Sequence, residues 1–60
     1  MSRKDYVGIA KAIHATLQGC QSLSETTVCF DLANKLATLM ESDNERFDRQ
    51  KFLSACGFAH

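Results

Sequence analysis

Cys56 and His60 lie close together near the end of the chain, where a thiol and an imidazole could act as nucleophile and base. Cys20, Cys29 and Cys56, joined by His14 or His60, could instead supply the four ligands of a zinc site. Neither chemistry is expected. His60 is terminal, and terminal side chains are poorly held. The cysteines show no C-x-x-C spacing, and their number is odd. They read as three free thiols that pack as small hydrophobes. The chain also has no glycine-rich phosphate loop and no paired-carboxylate motif. We therefore expect no catalytic residue, no metal and no cofactor, and a protein that is not an enzyme.

A second cluster points to contact rather than catalysis. The stretch "RFDRQKFLSACGF" at 46–58 carries Arg46, Arg49 and Lys51, and the acids Asp43 and Glu45 stand just before it. Guanidinium and ammonium groups hold carboxylates and phosphates by charge-assisted hydrogen bonds. Arg46, Arg49, Lys51, Asp43 and Glu45 are the expected partner-binding residues.

Three helices are expected to position these groups. The first, over about 3–18, opens with Ser2 and Asp5 in capping-box spacing, with a staple between Met1 and Tyr6. Tyr6, Ile9, Ala10, Ile13 and Leu17 form its apolar stripe, with His14 at the edge. Gly19 is expected as its left-handed end. The second, over about 23–41, starts either at Ser22, boxed with Glu25, or at Ser24, with a Leu23–Val28 staple. Its apolar residues span an arc of about 200°, twice what packing on one neighbour requires. That helix must therefore touch both others or face another chain. Asp31, Asn34, Lys35 and Thr38 mark its wet side, with Asp31 and Lys35 paired across one turn. The third, over about 48–56, has Asp48 as N-cap, a Phe47–Phe52 staple, Gly57 as left-handed cap and Phe58 placed against Leu53.

The expected fold is all-α: a compact three-helix unit, two longer helices in a hairpin plus a short C-terminal one, forming a single domain over 1–60. Sixty residues bury only about 60% of their unfolded surface, so stability is marginal unless disulfides, a metal or a partner subunit helps. The stripe of the first helix and the wide apolar face of the second exceed what one small bundle covers, so a homo-oligomer with symmetric contacts is expected. The formal net charge is zero, which lacks the basic footprint of a nucleic-acid binder. A helix-turn-helix-like DNA accessory role, with the third helix in the major groove, ranks low for that reason. No apolar run approaches a membrane span of about 20 residues. Lys11 and His14 interrupt the first segment, so it does not read as a secretory signal. A reducing cytoplasm is the expected location.

"RKDY" at 3–6 and "NERFDRQKFLSACG" at 44–57 together resemble a class of short phage and prophage proteins. These begin with an R-K-D-aromatic helix and end in an F-D-R-x-x-F-L-x-A-C-G type segment. Glu45 stands where that class often has proline. The resemblance implies an origin in a bacterial virus or prophage, and a cytoplasm that is that of the bacterial host. It carries no activity of its own. A small non-enzymatic phage protein is expected to occupy a host protein, here as an anti-defence, anti-CRISPR-like inhibitor. The alternative is an oligomeric sponge that sequesters a nucleotide immune signal.

Overall fold

The computed structural model describes residues 2–58, and all regular structure among them is helical: α1 Arg3–Gln18, α2 Leu23–Asp43 and α3 Arg49–Leu53, followed by a wide π-helical turn at Ser54–Phe58. No described helix is long and apolar enough to cross a membrane. The molecule measures 33 × 18 × 17 Å. Its long axis is the length of α2, since 21 helical residues rise about 32 Å.

Ser2 and Asp5 open α1 as the spacing predicts. The Ser2 amide donates to Asp5 Oδ2 at 2.9 Å, and the Ser2 hydroxyl does so at 3.2 Å. These donors favour the ionised carboxyl, so its pKa lies below the ordinary value. Met1, and with it the expected staple to Tyr6, lies outside the described residues. Gly19 departs from expectation. Its φ is −86°, ordinary right-handed backbone, and a Cβ there would meet only the Thr16 carbonyl at 3.5 Å. The chain leaves α1 by a tightened turn, with amides of Gly19 and Cys20 donating to Thr16 and Leu17.

At the start of α2 the structure selects Ser22. The Glu25 amide donates to Ser22 Oγ at 3.2 Å, while the Glu25 carboxylate reaches past the cap to the Gln21 amide at 2.8 Å. The Ser24 alternative is not built, since Leu23 and Val28 are 83% and 69% exposed. Asp31 and Lys35 form the expected ion pair at 2.9 Å. The helix runs to Asp43, two residues past the expected end, and closes on Asn44.

The C-terminal segment holds the fold together. Asp48 caps α3 by accepting from the Lys51 amide at 3.0 Å. The Phe47 and Phe52 rings lie 5.5 Å apart, and Phe47 also meets Tyr6 edge-on at 5.1 Å. These rings therefore clip α3 to the start of α1. The α-helix ends at Leu53, before the expected residue 56, because the chain widens into the π turn. Gly57 does take the expected left-handed conformation, with φ of 102°. Phe58 packs edge-on against Phe30 of α2 at 4.9 Å, so it also clips the end of the chain to another helix.

Ala10, Ile13, Cys29, Ala33, Ala37, Met40, Phe52 and Cys56 form one buried cluster. Ala33 and Ala37 are fully buried on α2, one turn apart, where small side chains let the C-terminal segment approach. The closest packing of α1 is against the π turn rather than against α2. The hairpin is consequently splayed along one side, and the C-terminal segment acts as the wedge that joins its arms.

Candidate interaction surfaces

Two concave surfaces follow from this architecture. The first is an apolar groove of about 900 Å³ between the splayed arms. From α1 it takes Ile9, Ile13 and Thr16, from the turn after it Cys20, and from α2 Val28, Leu32 and Leu36. Leu32 and Leu39 remain 54% and 65% exposed, beside Val28. At 100° per residue, Val28, Leu32 and Leu39 fall within an arc of about 40° and run about 17 Å along α2. This stripe is the part of the wide apolar arc that α1 and α3 leave uncovered.

The second surface is a cleft of about 640 Å³ between the first turns of α1 and the segment that leads into α3. Tyr6, Val7, Ala10, Phe47, Phe52 and Ala55 supply its apolar lining. Arg3, Arg46 and Lys51 supply cations, and Asp48 is the acid among its lining residues. Asn44 fixes the corner. Its Oδ1 accepts from the Arg46 amide at 3.1 Å, its carbonyl accepts from the Phe47 amide at 3.0 Å, and its Nδ2 donates to the Tyr6 hydroxyl at 3.4 Å. One side chain thus ties the tight turn at 44–47 to α1, 38 residues away in the chain.

The five residues expected to bind a partner are therefore not one site. Arg46 and Lys51 come together on the cleft, joined by Arg3, which the sequence reading did not single out. Arg49 lies elsewhere. Its guanidinium pairs with Glu41 and donates to the Asn34 carbonyl at 3.0 Å, to Asn34 Oδ1 at 3.3 Å and to Thr38 Oγ1 at 3.0 Å. Arg49 is half-buried, and it fastens α3 to the face of α2 that was expected to be wet. Asp31, Lys35 and Thr38 are exposed as expected, and Asn34 is half-buried beneath the guanidinium. Glu45 is exposed in the turn, and Asp43 takes part in interactions at the end of α2. Five helical residues with Arg49 so engaged also make α3 a poor reader of a DNA groove.

The thiols are neighbours. Burial pushes the Cys56 thiol up to about 11, with Cys29 adding to it. Burial likewise raises Cys29, with Cys20 adding to it. All three are free. His14 Nδ1 lies 3.3 Å from the Cys56 carbonyl oxygen, at the end of the π turn. This histidine braces the C-terminal segment, as a structural residue at the edge of the α1 stripe would. His60, and with it the Cys56–His60 pair, lies outside the described residues. No group of three or more His, Cys, Asp or Glu able to hold a metal ion occurs among the described residues.

No family model matches the chain, no curated protein matches it, and no solved structure matches its fold.

Proposed function

We propose that the chain is a small phage-encoded, non-enzymatic binding protein of the bacterial cytoplasm. Two copies pair through the apolar groove, and the pair disables a host defence protein by occluding it. The observation that carries this reading is the uncovered apolar surface. Val28, Leu32 and Leu39, 69%, 54% and 65% exposed, make one continuous apolar stripe on α2 beside the groove. A second copy fits the groove because a self-complementary patch closes under two-fold symmetry, and the net charge of zero opposes no such approach.

The host protein would meet the surface that pairing leaves free, with Arg46 and Lys51 as contacts and Glu45 beside them. The test is reconstitution. A host protein that co-purifies with the tagged chain should rebind it in fixed stoichiometry from pure components, and lose its own activity. The double variant Arg46→Ala/Lys51→Ala should weaken that complex at least about tenfold while keeping the fold. An unchanged complex would remove these two residues from the contact.

A second reading is favoured by the cleft itself. Its size lies in the small-ligand range of about 300–1,000 Å³, and it combines aromatic walls with several cations. That combination suits a sponge for a nucleotide signal as well as a protein contact.

A further inference from the structure

We infer that the cleft of Arg3, Tyr6, Arg46, Phe47 and Lys51 is a binding site for a phosphate ester that carries a flat ring, the nucleotide class of ligand. The inference rests on the second reading above and assigns the residues that would hold such a ligand within each single chain.

Three observations converge. Arg3, Arg46 and Lys51 come from the first turn of α1, from the turn at 44–47 and from α3, yet they line one cleft. None of them has an ion pair among the described residues, in contrast to Lys35 and Arg49. Arg3 is also placed against its own helix. A cation in the first turn opposes the macrodipole, so stability does not account for it there. Against these cations stands Asp48, whose Oδ1 already accepts from the Lys51 amide.

The walls argue for the ring. Tyr6 and Phe47 are half-buried, and Val7 of the same cleft is 45% exposed. A heterocycle laid on this apolar side covers that surface while its phosphates reach the cations. The corner is preformed, because Asn44 holds both the Arg46 turn and the Tyr6 hydroxyl. The hydroxyl accepts from Asn44, and its own proton stays available to a ligand oxygen. Guanidinium forks grip phosphate oxygens in pairs, and the lysine adds a mobile third charge.

The test is an amide chemical-shift titration of the full chain with pyrophosphate, then with ADP, at low salt. Both should move the resonances of Tyr6, Arg46, Phe47 and Lys51, and ADP should bind at least about fivefold more tightly because the ring adds contact area. Arg3→Gln, Arg46→Gln and Lys51→Gln change exposed side chains, so the fold should persist. Each should weaken ADP about fivefold or more, and Lys35→Gln should change nothing. Equal affinity for pyrophosphate and ADP would overturn the ring. No shift with either probe would overturn the site. Saturable binding of an acidic peptide in place of both would return Arg46 and Lys51 to a protein contact. Molar mass is read in the same samples. A monomer that still binds ADP would fail the pairing and leave the cleft standing, and a dimer that binds neither probe would do the reverse.

Discussion

A methyl group on Gly57 would lie 2.7 Å from Nδ1 of His14, 43 residues earlier in the chain, and 2.9 Å from a methyl of Leu17. Gly57 is therefore constrained twice. Its backbone is left-handed, and α1 presses directly on its Cα. The same histidine ring faces the Cys56 carbonyl, so the first helix and the end of the chain are fitted to each other at this point. In a domain with so small a core, this joint keeps the splayed hairpin from opening.

Gly57→Ala should accordingly destabilise strongly. Strain at positive φ costs about 1–2 kcal/mol and overpacking about 1–3 kcal/mol more. For a domain of this size the melting temperature should fall by about 10 °C or more. Gly19→Ala is the control. Its backbone is right-handed and its surroundings are open, so it should raise stability by about 0.4–1 kcal/mol. Thermal melts followed by circular dichroism decide both. Equal effects would show that the joint is not where it is drawn.

Arg49→Ala should cost about 1–3 kcal/mol, because it strips partners from the Asn34 side chain, Thr38 and Glu41 together. Arg49→Lys should recover only part of this, since an ammonium cannot reproduce the planar fork. Denaturant midpoints for the two variants measure it. Full recovery by lysine would reduce the network to a single ion pair. Arg46→Ala, by contrast, should leave the midpoint unchanged within about 0.5 kcal/mol, as exposed surface substitutions do.

The Asp5 carboxyl gives a pH signature of defined sign. Its folded-state pKa lies below the model-compound value of 3.8, first through the Ser2 amide and then through the Ser2 hydroxyl. The stability it contributes is complete above that ordinary value and is lost as pH falls through the lower folded value. Asp5→Asn should lower stability at neutral pH and flatten the acid limb of the stability curve. An acid limb unaltered by the substitution would place the loss at other carboxyls.

Thiol titration should separate the cysteines. Cys20 is partly exposed, whereas Cys29 and Cys56 are buried and their thiols are pushed up. At pH 8 the native protein should yield one fast thiol and the denatured protein three. Because Cys20 lines the apolar groove, its rate should fall as protein concentration rises and copies pair. Fast reaction of Cys56 in the native state would contradict the packing of the π turn.

Local chemistry made much of this fold legible. Ser2, Ser22 and Asp48 each cap by bonds within three residues, and a sequence displays such spacings directly. Gly57 was readable for the same reason. Gly19 misled because a glycine after a helix permits a left-handed turn without requiring one, and here the chain leaves by a tightened right-handed turn. The Arg49 network was invisible because its partners lie 8 to 15 residues away on another helix. Asn34 looked wet only until Arg49 was laid over it, whereas Thr38 stays exposed while accepting from the same guanidinium. Arg46 and Lys51 were readable as candidate contacts, along with Arg49. Arg3 was not, since only the fold brings the first turn of α1 beside α3, through the rings of Tyr6 and Phe47.

Pairing of two chains depends on the uncovered stripe of α2. Sedimentation equilibrium from about 1 to about 300 μM, on wild type and on Leu32→Glu, addresses it most directly. The wild-type chain should sediment as a dimer that dissociates on dilution, and Leu32→Glu as a monomer with unchanged helix content, since Leu32 is half exposed within the single chain. A wild-type monomer throughout that range, or a dimer indifferent to Leu32→Glu, would contradict pairing through the groove.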